Sequence, residues 1–193
     1  MILAKNVRSV GLVPALLLLV GSVARAEPKE IQLGVAPVYA LTYVDARKPS
    51  GGGVALDFSV GITEGLSVLA AGFVAFHPTD ATEMTPKGTL AAYAAGVGVR
   101  YAIDVIRLVP SFEVTIGVLG LRGARNFSTS DAANAVLTPR NEAALGLGFQ
   151  LHYLIKRWVA AGFVVRYHAV LTAIDKIPVY LYVGPEVTFR FNN

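Results

Sequence analysis

Six charged side chains, Asp57, Arg100, Glu113, Arg166, Glu186 and Arg190, carry the clearest capacity for chemistry in this 193-residue chain. Each occupies a polar position in a stretch where apolar and polar residues alternate, so each falls on the wet face of a strand whose other face is oily. Three are acids and three are bases, and they can neutralise one another. In a wide enclosure such a set selects ions. In a narrow one it is a plug of mutually satisfied charges, the favoured reading here.

Other candidates are weaker. His77, His152 and His168 are scattered and lack a metal-ligand spacing such as H-x-E-x-H, so no metal or other cofactor is expected. Ser128 and Ser130 lie in a polar stretch, and no spacing sets them beside His77 or His168 for acyl transfer. Gly51-Gly52-Gly53 is not followed by Lys-Ser/Thr or by a helix, so it reads as turn material rather than a phosphate loop. Arg122, Arg125 and Arg140 stand in or beside a long Ser- and Asn-bearing segment that suits phosphate-bearing lipid or a mobile solvated loop.

The elements that must hold these residues are strands. The last, Val179 to Phe191, sets Val179, Leu181, Val183, Pro185, Val187, Phe189 and Phe191 against Tyr180, Tyr182, Gly184, Glu186, Thr188 and Arg190. That period of two, over a length that crosses a tilted bilayer, predicts a spanning strand. Six more segments read the same way, 31–43, 54–62, 90–102, 111–118, 143–154 and 159–171, and 66–76 is a strand too uniformly apolar for alternation to assign its faces. Long connections fall at 45–53, 77–89, 123–142 and about 172–178, and short turns at 63–65, 103–107 and 155–157. Pro185 removes a ladder donor from mid-strand and predicts a local bulge.

Residues 1–26 read as a cleaved secretory signal: Lys5 and Arg8, an apolar run through Val20, then Ala24-Arg25-Ala26. The leader holds three of the 17 basic residues and none of the 13 acidic ones, so the remainder is near neutral and argues against nucleic acid as a partner. There are no cysteines, and 54% of residues are hydrophobic. Oily composition spread over alternating strands is what a transmembrane barrel needs.

Two internal echoes add detail. Ala70-Ala71-Gly72-Phe73-Val74 repeats as Ala160-Ala161-Gly162-Phe163-Val164, which predicts Phe73 on the oily face with Phe163. Gly96 and Gly98 echo Gly146 and Gly148 on the inner face, where a narrow barrel favours small residues beside long ones. Tyr101, Phe112, Tyr153, Trp158, Phe189 and Phe191 map to one interface, and Tyr43, Tyr93 and Tyr167 to the other, as two aromatic girdles.

With eight strands and alternating short and long connections, residues 27–193 resemble the small eight-stranded outer-membrane barrels of the OmpA-domain, OmpX and OmpW kinds. The resemblance implies an all-β, closed antiparallel barrel in a bacterial outer membrane, both termini periplasmic and long loops outside. It implies that Phe189 and Phe191 serve as an assembly signal for the barrel-assembly machinery, although Asn192 and Asn193 follow where the family usually ends on Phe. Expected partners are outer-membrane lipid, lipopolysaccharide and a surface ligand contacted through 77–89 and 123–142. A structural or surface-interaction role without turnover leads. A small porin and a lipid-modifying enzyme are the alternatives, and a soluble lipocalin-like barrel with its oily face inside is the rival fold.

Overall fold

A computed structural model describes residues 29–42, 50–79, 88–103, 107–122, 140–171 and 179–191. Its strands are β1 (Ile31–Thr42), β2 (Ser50–Gly61), β3 (Leu66–Thr79), β4 (Gly88–Ala102), β5 (Leu108–Arg122), β6 (Arg140–Lys156), β7 (Val159–Val170) and β8 (Val179–Phe191). Each pairs antiparallel with its neighbours in sequence, and β1 pairs with β8, so the meander closes into a barrel. The leader and its cleavage point, Ser128, Ser130, Tyr43, Asn192 and Asn193 lie outside the described residues.

Alternation decides what faces where. Leu56, Phe58, Val97, Ile116, Leu147 and Val187 point outward and are among the most exposed large apolar residues. Their strand neighbours Ala55, Asp57, Ser59, Thr115 and Thr188 are buried inside. Oily outside and polar within is the arrangement of a membrane-spanning barrel, opposite to a lipocalin-like one. Tyr101, Phe112, Tyr153, Trp158 and Phe191 are exposed toward the end carrying the termini.

Several boundaries differ from the sequence reading. Gly51, Gly52 and Gly53 belong to β2, paired with Ala40, Tyr39 and Val38. Gly51 is on the inner face, and a Cβ there would run into the Phe76 carbonyl and the His77 ring. The glycine is there for room. His77 to Thr79, placed in a loop, extend β3, and residues 140–142 extend β6. The expected contact segments 77–89 and 123–142 therefore shrink to 80–87 and 123–139, outside the described residues.

Phe73 is buried inside, not on the oily face. It lies opposite Ala55 and Ala94, whose small side chains leave a ring's width in the lumen. Phe163 in the echoed segment does point outward, so the repeated words meet the barrel with opposite parity.

No bulge forms at Pro185. The β1–β8 ladder stops after Val35↔Val187 and resumes at Tyr39↔Val183 in unchanged register. Pro37 and Pro185 stand opposite one another in that gap, at the position where two residues exchange both backbone bonds, and neither has an N–H to give. The shift in register occurs elsewhere, between Leu154 and Lys156 of β6 against β7. Replacing both prolines by valine should restore the reciprocal pair. The temperature at which the folded gel band converts to the unfolded one should rise by an amount equivalent to about 0.5–1.5 kcal/mol of stability per bond formed, and an unchanged or lowered temperature would refute the pairing.

Candidate functional site

The inward side chains in the half nearer the termini form a charged cluster. Arg100 on β4 donates from Nη2 to Asp57 on β2, and from Nε and Nη2 to Glu113 Oε2 on β5 at 3.3 and 3.1 Å. Its Nη1 is 3.4 Å from Ser59 Oγ. Arg166 on β7 grips the same Glu113 with two nitrogens, Nε to Oε1 and Nη2 to Oε2, the latter at 2.9 Å. Its Nη1 donates to Tyr182 Oη at 2.7 Å, and its Nη2 is 3.8 Å from Asp57.

Two cations and two anions from four strands thus meet across the lumen, with side chains only 2–3% exposed. Burying charges this deeply is tolerable only when each is paired and its remaining donors are used. The backbone makes room for them. A Cβ at Gly148 would overlap the Glu113 side chain, and one at Gly34 would overlap Asp57 and Glu186.

Of the remaining expected residues, Glu186 borders the quartet beside Asp57, and Arg190 sits apart from it. Glu186 accepts from Gln150 at 3.4 Å and lies 3.1 Å from His152 Nε2. Ser111 and Thr188 complete that polar set through Gln150 and His152. Arg190 is lower still and holds both carboxylate oxygens of Glu30, a residue the sequence reading passed over. Phe189 and Phe191 are on the outward face of β8, Phe191 well exposed.

Toward the far end the filling becomes aromatic. Phe73 stacks on Tyr180 with centroids 4.6 Å apart and touches the rings of Tyr182 and His168 at 5.0 and 5.3 Å. His77 meets Tyr180 edge-on, and its Nε2 is 3.0 Å from the Tyr180 hydroxyl. Tyr182 joins the two layers, since it also faces the Arg166 guanidinium. Sequence parity identified the inner tyrosines of β8. It missed Phe73 and His77, for which the alanines and glycine opposite are the usable signal.

Between the described inward side chains little space is left. Cavities of about 10 Å³, beside Thr115, His168 and Tyr182, and about 20 Å³, beside Ser111, His152 and Arg190, are each of the order of one water. A larger depression, about 730 Å³, is on the lipid-facing surface over Ala70, Gly72 and Ala95. Among the described residues no three His, Cys, Asp or Glu side chains gather as a metal site.

No family model matches the sequence, and no curated protein does either. Solved structures do match the fold. Ail, the attachment invasion locus protein of Yersinia pestis, crystallised with the heparin analogue sucrose octasulfate, aligns with a TM-score of 0.60 at 13% identity, over 86% of this chain and all of Ail. Neisserial surface protein A aligns with a TM-score of 0.62 at 12% identity, over 83% of this chain and 97% of that one. OprG of Pseudomonas aeruginosa aligns with a TM-score of 0.56 at 11% identity, over 86% and 98%. The architecture is that of small eight-stranded outer-membrane barrels, the resemblance already legible in the sequence.

Glu113 is the hub, since it serves both arginines. Glu113→Ala should lower the heat-modification midpoint by an amount equivalent to about 3–5 kcal/mol, the usual cost of stranding a buried charge. Glu186→Ala, which strands no arginine of the quartet, should cost less, and Arg125→Ala should leave the midpoint unmoved. Equal midpoints for all three would remove the hub role.

Proposed function

We propose that residues 27–193, released by cleavage after Ala26, form an outer-membrane barrel with a structural or surface-contact role and no catalytic turnover. The lumen is a plug, and the segments 80–87 and 123–139 are presented outside for lipopolysaccharide or a surface ligand. Phe189 and Phe191 serve the assembly machinery as its recognition signal.

The observation that carries this reading is the filled interior. The quartet of Asp57, Arg100, Glu113 and Arg166 draws on β2, β4, β5 and β7, and an aromatic layer closes the next level. Cavities of about 10 and 20 Å³ do not amount to a water path. The fold's likeness to Ail and to Neisserial surface protein A, both by their names surface or attachment proteins, supports the same reading.

Purified protein in a planar bilayer should show no steady conductance, and an epitope inserted between Ser128 and Ser130 should bind antibody on intact cells. Reproducible open channels would replace the plug by the small-porin reading. An epitope reached only after the outer membrane is permeabilised would overturn the proposed orientation.

A further inference from the structure

Lys156 is on the wrong face for its place in the sequence. Counting alternation along β6, it shares parity with His152 and Leu154, which point into the barrel. The register shift between Leu154 and Lys156 adds one residue to β6, so Leu154 is opposite Ala160 while Lys156 is opposite Val159. Residues directly opposite on a ladder share a face, and Val159 belongs to the outward set with Phe163. The bulge has therefore turned Lys156 from the lumen to the lipid side, a known effect of an extra residue in one strand.

Its surroundings suit an anion. The Lys156 ammonium is 5.7 Å from the centre of the exposed Trp158 ring, in the girdle that also holds Tyr153. Arg157 is next to it and exposed, and Arg107 is exposed on the adjoining turn. The two turns are tied together, since the Leu154 amide donates to the Arg107 carbonyl at 2.8 Å. Among the described acids, Glu30 is engaged by Arg190 within the barrel mouth and Glu64 is beyond β4. Asp104 lies outside the described residues.

We infer that Lys156, Arg157 and Arg107, with Trp158 as the interfacial anchor, form a headgroup site for an anionic glycerophospholipid of the periplasmic leaflet. The inference rests on the membrane orientation proposed above. The ammonium and guanidinium groups pair with the headgroup phosphate, and the acyl chains lie along the outward residues Tyr153, Ile155 and Phe163. A zwitterionic headgroup offers its own ammonium to the same cations and is disfavoured.

The test uses the mature chain in nanodiscs containing phosphatidylcholine and phosphatidylglycerol, with lipid retained by the protein read by native mass spectrometry. Wild-type protein should retain phosphatidylglycerol preferentially. Lys156→Gln should reduce the preference about five-fold, from roughly 1 kcal/mol per interfacial cation. Leu154→Lys combined with Lys156→Leu, which moves the cation to the inward position opposite Ala160, should reduce it similarly without removing the charge. Lys156→Arg should retain the preference. Equal retention of the two lipids by wild type, or a preference indifferent to Lys156→Gln in protein still showing heat modification, would overturn the site. A wild-type chain that stays monomeric in detergent-free buffer would instead overturn the membrane reading itself.

Discussion

A backbone in hydrocarbon has no water to satisfy its N–H and C=O groups, so every strand must find a partner on both sides. The chain meets this constraint by pairing β1 with β8, and closure at eight strands then fixes the bore. All later choices follow from that bore. It is narrow enough that one arginine spans to two acids on other strands, as Arg100 does to Asp57 and Glu113. It is also narrow enough that glycine or alanine must stand wherever a large side chain crosses, as at Gly148 under Glu113 and at Ala55 and Ala94 around Phe73.

The interior solves its packing in two chemistries. Near the termini, charges satisfy one another, with Glu113 shared by two guanidinium groups. Farther along, rings fill the section by stacking, an arrangement that brings large apolar area with few polar atoms to satisfy. Tyr182 belongs to both layers, since its ring packs on Phe73 and its hydroxyl accepts from Arg166. Buried ion pairs are weak sources of net stability, because desolvation offsets much of their attraction. Their stronger effect here is on register. A one-residue slip of β4, β5 or β7 would carry Arg100, Glu113 or Arg166 into lipid.

The same period-two logic explains what was legible in advance. Strand number, the meander, the outward apolar set and the inward placement of all six charged residues follow from alternation and connection length. Arg100 opposite Glu113 follows from counting out from the turn at 103–107, but the other pairings within the lumen do not follow. Glu186 associates with Gln150 and His152, and Arg190 with Glu30, because position along the barrel axis depends on stagger between strands, which parity does not encode. Phe73 was misread because β3 is apolar on both faces. Gly51 to Gly53 was misread because glycine signals a turn and a close approach equally well. Lys156 was read as part of the 155–157 turn, whereas it ends β6, where a bulge overrides the alternation.

The proline pair shows how a closed barrel accommodates a residue that sheets tolerate mainly at edges. A barrel has no edge, so one proline set against an ordinary residue would leave half of a reciprocal pair intact and one carbonyl without a donor. Two prolines directly opposed confine both missing donors to a single pair of residues, and each serves locally as the other's edge. Pairing on the outer sides is unaffected: Pro37 keeps its place opposite Val54 in β1–β2, and Pro185 keeps its place opposite Phe163 in β7–β8. The weak point therefore falls between the two strands most distant in sequence, whose pairing carries the largest loop-closure cost. It is held in register from both sides by Val35↔Val187 and Tyr39↔Val183, so the interruption remains a gap in bonding and does not become a slip.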